Sequence, residues 1–236
     1  MKILENKTAI ITGGGSGIGL EIADKFIEEG ATVVICGRNE EKLKQTQKEK
    51  DKEGKHLEII STDITNEDQV KKLVDFALNQ NNRIDILVNN AGAMRINKPL
   101  EETSLEEWAH VINTNINGTF LCRREVGKTM INQKKGKIIN ISYMSGYIVN
   151  KYFHGGSYEV SKSAFEMLTK VFAVEWAPYN IRVNAIAPGY YNTKPNEDFF
   201  VKNKEIKEKI LALIPERKLG ALNELADLAL YLASDS

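Results

Sequence analysis

The chain of 236 residues is short of several features that would narrow its reading quickly. It has only two cysteines, Cys36 and Cys122, far apart and without metal-type neighbours, so neither a disulfide framework nor a metal site is expected. Two free thiols fit a reducing compartment, which makes the cytoplasm the expected location. Net charge is lacking too: Lys plus Arg number 32 and Asp plus Glu 32, which gives no reason to expect nucleic acid or a membrane surface as a partner. No apolar run approaches the length of a membrane span. The amino terminus, Met1 to Asn6, is polar, and the first apolar stretch (Thr8–Thr12) ends in glycines, unlike a secretory signal. With five prolines there is no proline-rich linker, and no repeat or low-complexity tract divides the chain. One domain spanning residues 1–236 is therefore expected, long enough to bury a large core.

What is present is an alternation of apolar runs with amphipathic ones. Thr8–Thr12, Thr32–Cys36, Leu57–Ser61, Ile86–Val88, Lys137–Ile141 and Ile181–Ala187 read as strands. Between them, helices are expected over Ser16–Glu29 (stopped by Gly30), from Asn39 as N-cap to about Lys52, and over Asn66–Gln80. Ser104 to Glu107 reads as a capping box opening a long helix to about Met130. Tyr158–Trp176, stopped by Pro178, and Asn223–Ala233 complete the set. The mixed charges from Lys48 to Lys55 read as a solvated helix end. Strands that are nearly all apolar, alternating with helices, imply a parallel sheet covered on both faces. The expected fold class is α/β, a doubly wound, Rossmann-like parallel sheet.

The turn after the first strand is Thr12-Gly-Gly-Gly-Ser-Gly-Ile-Gly19. Glycines between a strand and a helix permit a tight turn and let backbone N–H groups approach a pyrophosphate at the positive end of the helix. The spacing Gly13, Gly17, Gly19 differs from G-x-G-x-x-G and matches T-G-x-x-x-G-x-G. Further motifs follow in order: Asp63 after the third strand, Asn89-Asn90-Ala91-Gly92 after the fourth, Asn115 with Gly118 in the long helix, Tyr158-Glu-Val-Ser-Lys162, and Pro188-Gly189 with Thr193 after the sixth strand.

Together these motifs resemble the short-chain dehydrogenase/reductase family, from about residue 7 to the C-terminus. The resemblance implies an enzyme that moves hydride between a nicotinamide cofactor and a carbonyl or alcohol. It assigns to the cofactor Gly13, Ser16, Gly17, Ile18, Gly19, Arg38, Asp63, Ile64, Asn90, Ala91, Gly92, Tyr158, Lys162, Pro188, Gly189 and Thr193. At the end of the second strand, where a carboxylate would select NAD(H), the chain has Gly37 followed by Arg38. A guanidinium there can pair with a 2′-phosphate, so NADP(H) is favoured and NAD(H) is the alternative. Arg38 also fits a solvated helix start.

The resemblance makes Tyr158 the acid/base and Lys162 the residue that holds the ribose and lowers the tyrosine pKa. Both lie on one face of a helix at i and i+4. Asn115 would hold a water in a proton relay. The serine that bonds the substrate carbonyl departs from the family pattern. Counting from the strand puts Tyr143 at that position, and counting back from Tyr158 puts Ser145 there. An extended segment would place Tyr143 and Ser145 on one face and turn Ser142 away. Ser145 is taken for the role, with Tyr143 as a second donor and Ser142 as a structural hydroxyl. The substrate residues are then Ser145, Asn150 and Tyr158.

Ser145-Gly-Tyr-Ile-Val-Asn150 is similar to polyol and ketose members of the family, in which Asn150 would bond a sugar hydroxyl. Lys151 to His154 departs from those relatives, and His154 reads as a loop residue. The charged segment from Lys194 to Ile214 is expected to form a substrate lid, within about 190–215. A ketose or polyol is therefore the leading substrate. A 3-oxoacyl thioester reductase and a non-catalytic NADP-binding regulator or scaffold are the alternatives. Homotetramers or homodimers, paired through the helices starting near Ser104 and Tyr158, are implied by the resemblance. The family usually adds a seventh strand. The stop at Ser236 suggests an incompletely represented chain, with an open sheet edge and a weakened dimer interface.

Overall fold

The largely β-branched run Thr8–Thr12 forms strand β1 and is buried along its whole length. Around it the computed structural model, which describes residues 2–51, 54 and 56–236, builds one parallel sheet. Its other strands are β2 (Thr32–Gly37), β3 (Leu57–Ser61), β4 (Ile86–Asn89), β5 (Gly136–Ile141) and β6 (Ile181–Ile186), in the spatial order β3-β2-β1-β4-β5-β6. The helices are α1 (Gly17–Glu28), α2 (Glu40–Lys50), α3 (Glu67–Asn81), α4 (Leu105–Ile112), α5 (Thr119–Gln133), α6 (Ser157–Trp176), α7 (Lys194–Lys202), α8 (Lys204–Leu213) and α9 (Leu222–Ala233).

Side chains on successive strand residues leave opposite faces, and this alternation divides the core. Ala9, Ile11, Val33, Ile35 and Val88 pack on one face against α1 and α9. Ile10, Val34, Leu87 and Ile138 pack on the other against α3, α5 and α6. The doubly wound α/β fold expected from the sequence is thus the one observed.

Helix starts follow their capping chemistry. Asn39 and Asn66 each accept a hydrogen bond from the backbone N–H three residues on, and Ser104 with Glu107 forms the full capping box. Two expectations need correction. The helix from Ser104 is not continuous to Met130: α4 and α5 are joined by a π-helical segment, Asn113–Gly118, and α5 runs on to Gln133. The helix after Asn39 ends at Lys50, and the expected end at Lys52, like Lys55 in the same charged run, lies outside the described residues.

The chain travels outward through β1, β2 and β3, then crosses back to β4. The loops after β1 and β4 consequently diverge at their carboxyl ends and leave a crevice, the usual ligand site of an open α/β sheet. Among the described residues no helix is long and apolar enough to cross a membrane.

Candidate active site

The crevice between β1 and β4 is braced by one side chain. Asn90 Nδ2 donates to the carbonyls of Thr12 and Gly13, both at 3.1 Å. Thr12 Oγ1 in turn accepts from the backbone N–H groups of Asn90 (3.1 Å) and Ala91 (3.0 Å). Asn90 was expected to touch the cofactor, and its amide holds the glycine loop in place. A Cβ on Gly19 would collide with this same amide, so the loop can lie against β4 only with glycine there. Gly17 is required for another reason, its φ of +56°.

This cradle fits a dinucleotide. Ser16 caps α1 through backbone geometry only, without a side-chain hydrogen bond, and the first turn of α1 carries no acid. Its N–H groups are therefore left for an anion. Beyond the loop lies a cavity of about 350 Å³, bordered by Gly13, Arg38, Asp63, Ile64, Ala91 and Gly92. Cys36 and Gly37 also border it, and burial pushes the Cys36 thiol up to about 12. Backbone and hydroxyl hydrogen bonds from Thr65 hold the Asp63 carboxyl below its ordinary pKa. Ile64 packs against Gly118, and Ile18 is half-buried against the core. At the other end, the Thr193 methyl is the nearest atom to a Cβ built on Gly17, at 3.9 Å. Thr193 also caps α7, and Pro188 accepts from the Met144 N–H (2.9 Å) beside Gly189.

The π segment turns Asn115 into the protein. Its Oδ1 accepts from the Ala93 N–H at 2.7 Å, and its Nδ2 donates to Ser161 Oγ at 2.9 Å. A widened turn of this kind commonly marks a functional position. The Ser161 hydroxyl donates to the Tyr158 carbonyl (2.7 Å), so the post-β4 loop, the π segment and the start of α6 form one connected unit. Next on α6, Lys162 is buried and donates to the Ile141 carbonyl at 3.1 Å. Desolvation lowers its pKa to about 8.

Tyr158 and Lys162 share a face, with Lys162 Nζ 5.6 Å from the Tyr158 ring centre. The expected lowering of the tyrosine pKa is not observed. Burial pushes Tyr158 up to about 12, and the cation that opposes this most is Arg95. The segment after β5 is not extended as expected: Met144–Gly146 forms a 3₁₀ turn. That turn still brings Tyr143 and Ser145 to one side. The Tyr143 ring meets Tyr158 edge-on at 5.9 Å, and Ser145 Oγ accepts from Arg95 Nη2 at 2.9 Å. Ser142 Oγ is buried and has no hydrogen-bond partner among the described residues. Asn150, expected to bond a sugar hydroxyl, makes bonds within the protein. Its Nδ2 donates to the Tyr190 hydroxyl and its Oδ1 accepts from the Tyr152 N–H. Tyr190, Phe200 and Ile210 form a separate apolar cluster under α7 and α8, with Tyr143, Phe153 and Phe199 packed on it. His154 is exposed, as expected of a loop residue.

Two residues of this site were missed in the sequence. Arg95 and Glu159 form an ion pair whose side chains are only 13% and 12% exposed. Their sole signal is position: Arg95 closely follows Asn-Asn-Ala-Gly, and Glu159 is next to Tyr158.

The model of the short chain dehydrogenase family matches residues 7–204. This chain belongs to that family. Galactitol 2-dehydrogenase of Rhizobium johnstonii is 35% identical to it over 231 residues, covering 98% of this chain and 89% of the relative. A 3-oxoacyl-[acyl-carrier-protein] reductase of Thermotoga maritima is 37% identical over 232 residues, covering 98% and 92%. Among solved structures, a gluconate 5-dehydrogenase from Burkholderia cenocepacia J2315 in complex with NADP and tartrate superposes with a TM-score of 0.90 at 34% identity, over 98% of this chain and 89% of that one. As a short-chain dehydrogenase the protein is an oxidoreductase that moves hydride between a nicotinamide cofactor and a carbonyl or alcohol.

Proposed function

We propose that this short-chain dehydrogenase reduces a ketose, or oxidises the matching polyol, with NADP(H) as its cofactor. The observation that carries the substrate reading is the polar lining next to Tyr158. Arg95, Glu159 and the hydroxyls of Ser145, Tyr143 and Tyr190 gather there, a lining that suits a molecule bearing oxygen on most carbons. The sugar-derived substrates in the names of the Rhizobium and Burkholderia relatives point the same way. Arg38 at the rim of the 350 Å³ cavity, with no carboxylate at Gly37, supports NADP(H). The 3-oxoacyl thioester reading rests on the Thermotoga relative, and the exposed Met94, Ile148 and Val149 offer a surface for an acyl chain.

In this reading the glycine loop and the N-terminus of α1 hold the pyrophosphate, and Asp63, Ile64, Ala91, Gly92, Pro188, Gly189 and Thr193 border the rest of the cofactor. The nicotinamide supplies or accepts the hydride. Ser145 donates a hydrogen bond to the carbonyl oxygen. Tyr158 gives that oxygen its proton in reduction and removes it in oxidation. Lys162 adds positive charge near the phenol and holds the ribose, while Asn115 fixes the loop and α6 around them. Residues 190–215 close over the substrate as a lid. The exposed apolar residues Val160, Met167, Val171 and Val174 on α6 support pairing of subunits into a dimer or tetramer. Two buried free thiols, Cys36 and Cys122, favour the cytoplasm.

The test follows NADPH absorbance with purified protein and D-fructose, with an acetoacetyl thioester and NADH in parallel and Tyr158→Phe as control. Consumption with the ketose, abolished in the variant, is expected. Turnover of the thioester alone would move the protein to the acyl branch. Tight NADPH binding without turnover of either would favour a regulator or scaffold.

A further inference from the structure

Arg95 enters the reading above only as part of the polar lining, with no part in the chemistry, yet it contacts Ser145, Glu159 and the rings of Tyr158 and Phe153. It comes from the loop after β4 and lies between that loop and α6. Its Nη2 group donates to both Ser145 Oγ, at 2.9 Å, and Glu159 Oε1. Its guanidinium carbon stands 5.1 Å from the centre of the Tyr158 ring and 5.1 Å from that of Phe153. The Nε group is buried and has no partner among the described residues. Glu159 is fixed in turn, because its Oε2 accepts from the Gly156 N–H at 2.8 Å at the start of α6. The pair is largely shielded from water, and both of its partners are anchored by further hydrogen bonds, Arg95 to Ser145 and Glu159 to Gly156.

We propose that Arg95 is a positioning residue for the reaction, acting on Ser145 and on Tyr158 at once while Glu159 tempers its charge. The proposal rests on Tyr158 being the acid/base. By donating to Ser145 Oγ, Arg95 occupies an acceptor site of that hydroxyl, so the O–H of Ser145 is directed elsewhere, towards the carbonyl oxygen of a bound substrate. A hydroxyl that accepts from a cation is also a stronger donor. On Tyr158 the effect is electrostatic: a cation close to the phenol favours the phenolate, and a nearby carboxylate opposes it.

The groups facing Tyr158 are few and come from every side. Arg95 approaches from the post-β4 loop, Glu159 and Lys162 from α6, Tyr143 from the segment after β5 and Tyr190 from the segment after β6. Arg95 counters the burial of Tyr158, whereas Glu159 and Tyr190 add to it. Removing the cation and removing the carboxylate must therefore move the tyrosine in opposite directions. An ion pair that only braced the loop against α6, without acting on the phenol, would not produce opposite signs.

The experiment measures ionisation of Tyr158 in the protein–NADP⁺ complex. Near-ultraviolet phenolate absorbance is titrated for wild type, Arg95→Met, Arg95→Lys and Glu159→Gln, each minus the same protein carrying Tyr158→Phe. The pH dependence of galactitol oxidation is recorded beside it. Arg95→Met is expected to raise the midpoint and the activity limb by about one pH unit. Glu159→Gln should lower both, and Arg95→Lys should fall near wild type. Arg95→Met combined with Ser145→Ala should cost less than the product of the single losses. Should Arg95→Met fail to fold, Arg95→Lys and Glu159→Gln still give the signs. Coincident midpoints in all variants, or additive losses in the double variant, would overturn the proposal. If galactitol is not oxidised, the substrate reading fails, but the titration still decides on Arg95. A Tyr158→Phe variant that retains full activity would remove the acid/base reading and leave the Arg95 midpoints as a separate result.

Discussion

Replacing Arg38 tests the cofactor assignment at the point where sequence and structure meet. Arg38 is exposed at the rim of the cavity between β1 and β4, so its pairing with a 2′-phosphate is partly screened by water. A charge-assisted hydrogen bond in that setting is worth about 1.5–2 kcal/mol, the low end of the usual range. Arg38→Leu should therefore raise the KM for NADPH about 10- to 30-fold at low ionic strength. The KM for NADH, which has no phosphate to lose, should stay within about twofold. The neighbouring position sharpens the test. A Cβ on Gly37 would meet nothing closer than Leu43 Cδ2 at 4.0 Å, and Gly37 has no left-handed φ, so an aspartate fits without strain. Gly37→Asp with Arg38→Leu places a carboxylate where it bonds a free 2′-hydroxyl and repels a phosphate, which should turn the preference to NADH. Initial rates with both nucleotides, at low and high salt, give the readout. A parallel loss with NADH and NADPH, or a wild-type enzyme that already prefers NADH, would refute the reasoning.

Lys162 and Gly127 carry two further predictions. The folded-state pKa of Lys162 is about 8 against 10.5 ordinarily, so below pH 8 holding its charge in the interior costs about 3 kcal/mol. That cost is relieved as pH rises from about 8 to 10.5. Lys162→Met should abolish turnover yet raise the melting temperature by several degrees at pH 7, even after the hydrogen bond to the Ile141 carbonyl is lost; a calorimetric scan showing a lower melting temperature would contradict it. Gly127→Ala sets two effects against each other. Alanine gains about 1 kcal/mol of helix propensity, but its Cβ would press into the Trp176 ring, with Cζ3 at 2.7 Å, and overpacking of a core costs about 1–3 kcal/mol. Net destabilisation is expected in urea unfolding, and a rise in midpoint would mean that Trp176 can move aside.

The glycine spacing and the apolar strand runs were sufficient for the fold. A strand buried on both faces, as Thr8–Thr12 is, has to be apolar except where a buried hydroxyl finds a partner, as those of Thr8 and Thr12 do, and a loop that meets Asn90 at Gly19 has to lack a side chain there. Caps were readable for the same reason: Asn39, Asn66 and Ser104 bond N–H groups only three residues away. The helix from Ser104 was readable at its start, where the cap is local. Its π turn at Asn113–Gly118 was not, because the side chain it turns inward, Asn115, bonds Ala93 and Ser161, far off in sequence. The serine position was ambiguous by counting, since the two counts start from anchors on opposite sides of a lengthened loop, Tyr147 to Ser157; the 3₁₀ turn at Met144–Gly146, which no count foresees, sets where Ser145 lies.

The sequence by itself determined the sheet, the glycine cradle and the helix carrying Tyr158 and Lys162, because each depends on local periodicity or on short-range steric demands. Only the tertiary structure decided the surroundings of Tyr158. Arg95 and Glu159 are 64 positions apart, and neither looks remarkable in its own segment. Their effect depends on distance through space and on exclusion of water, and both of those come into being when the loop after β4 closes against α6.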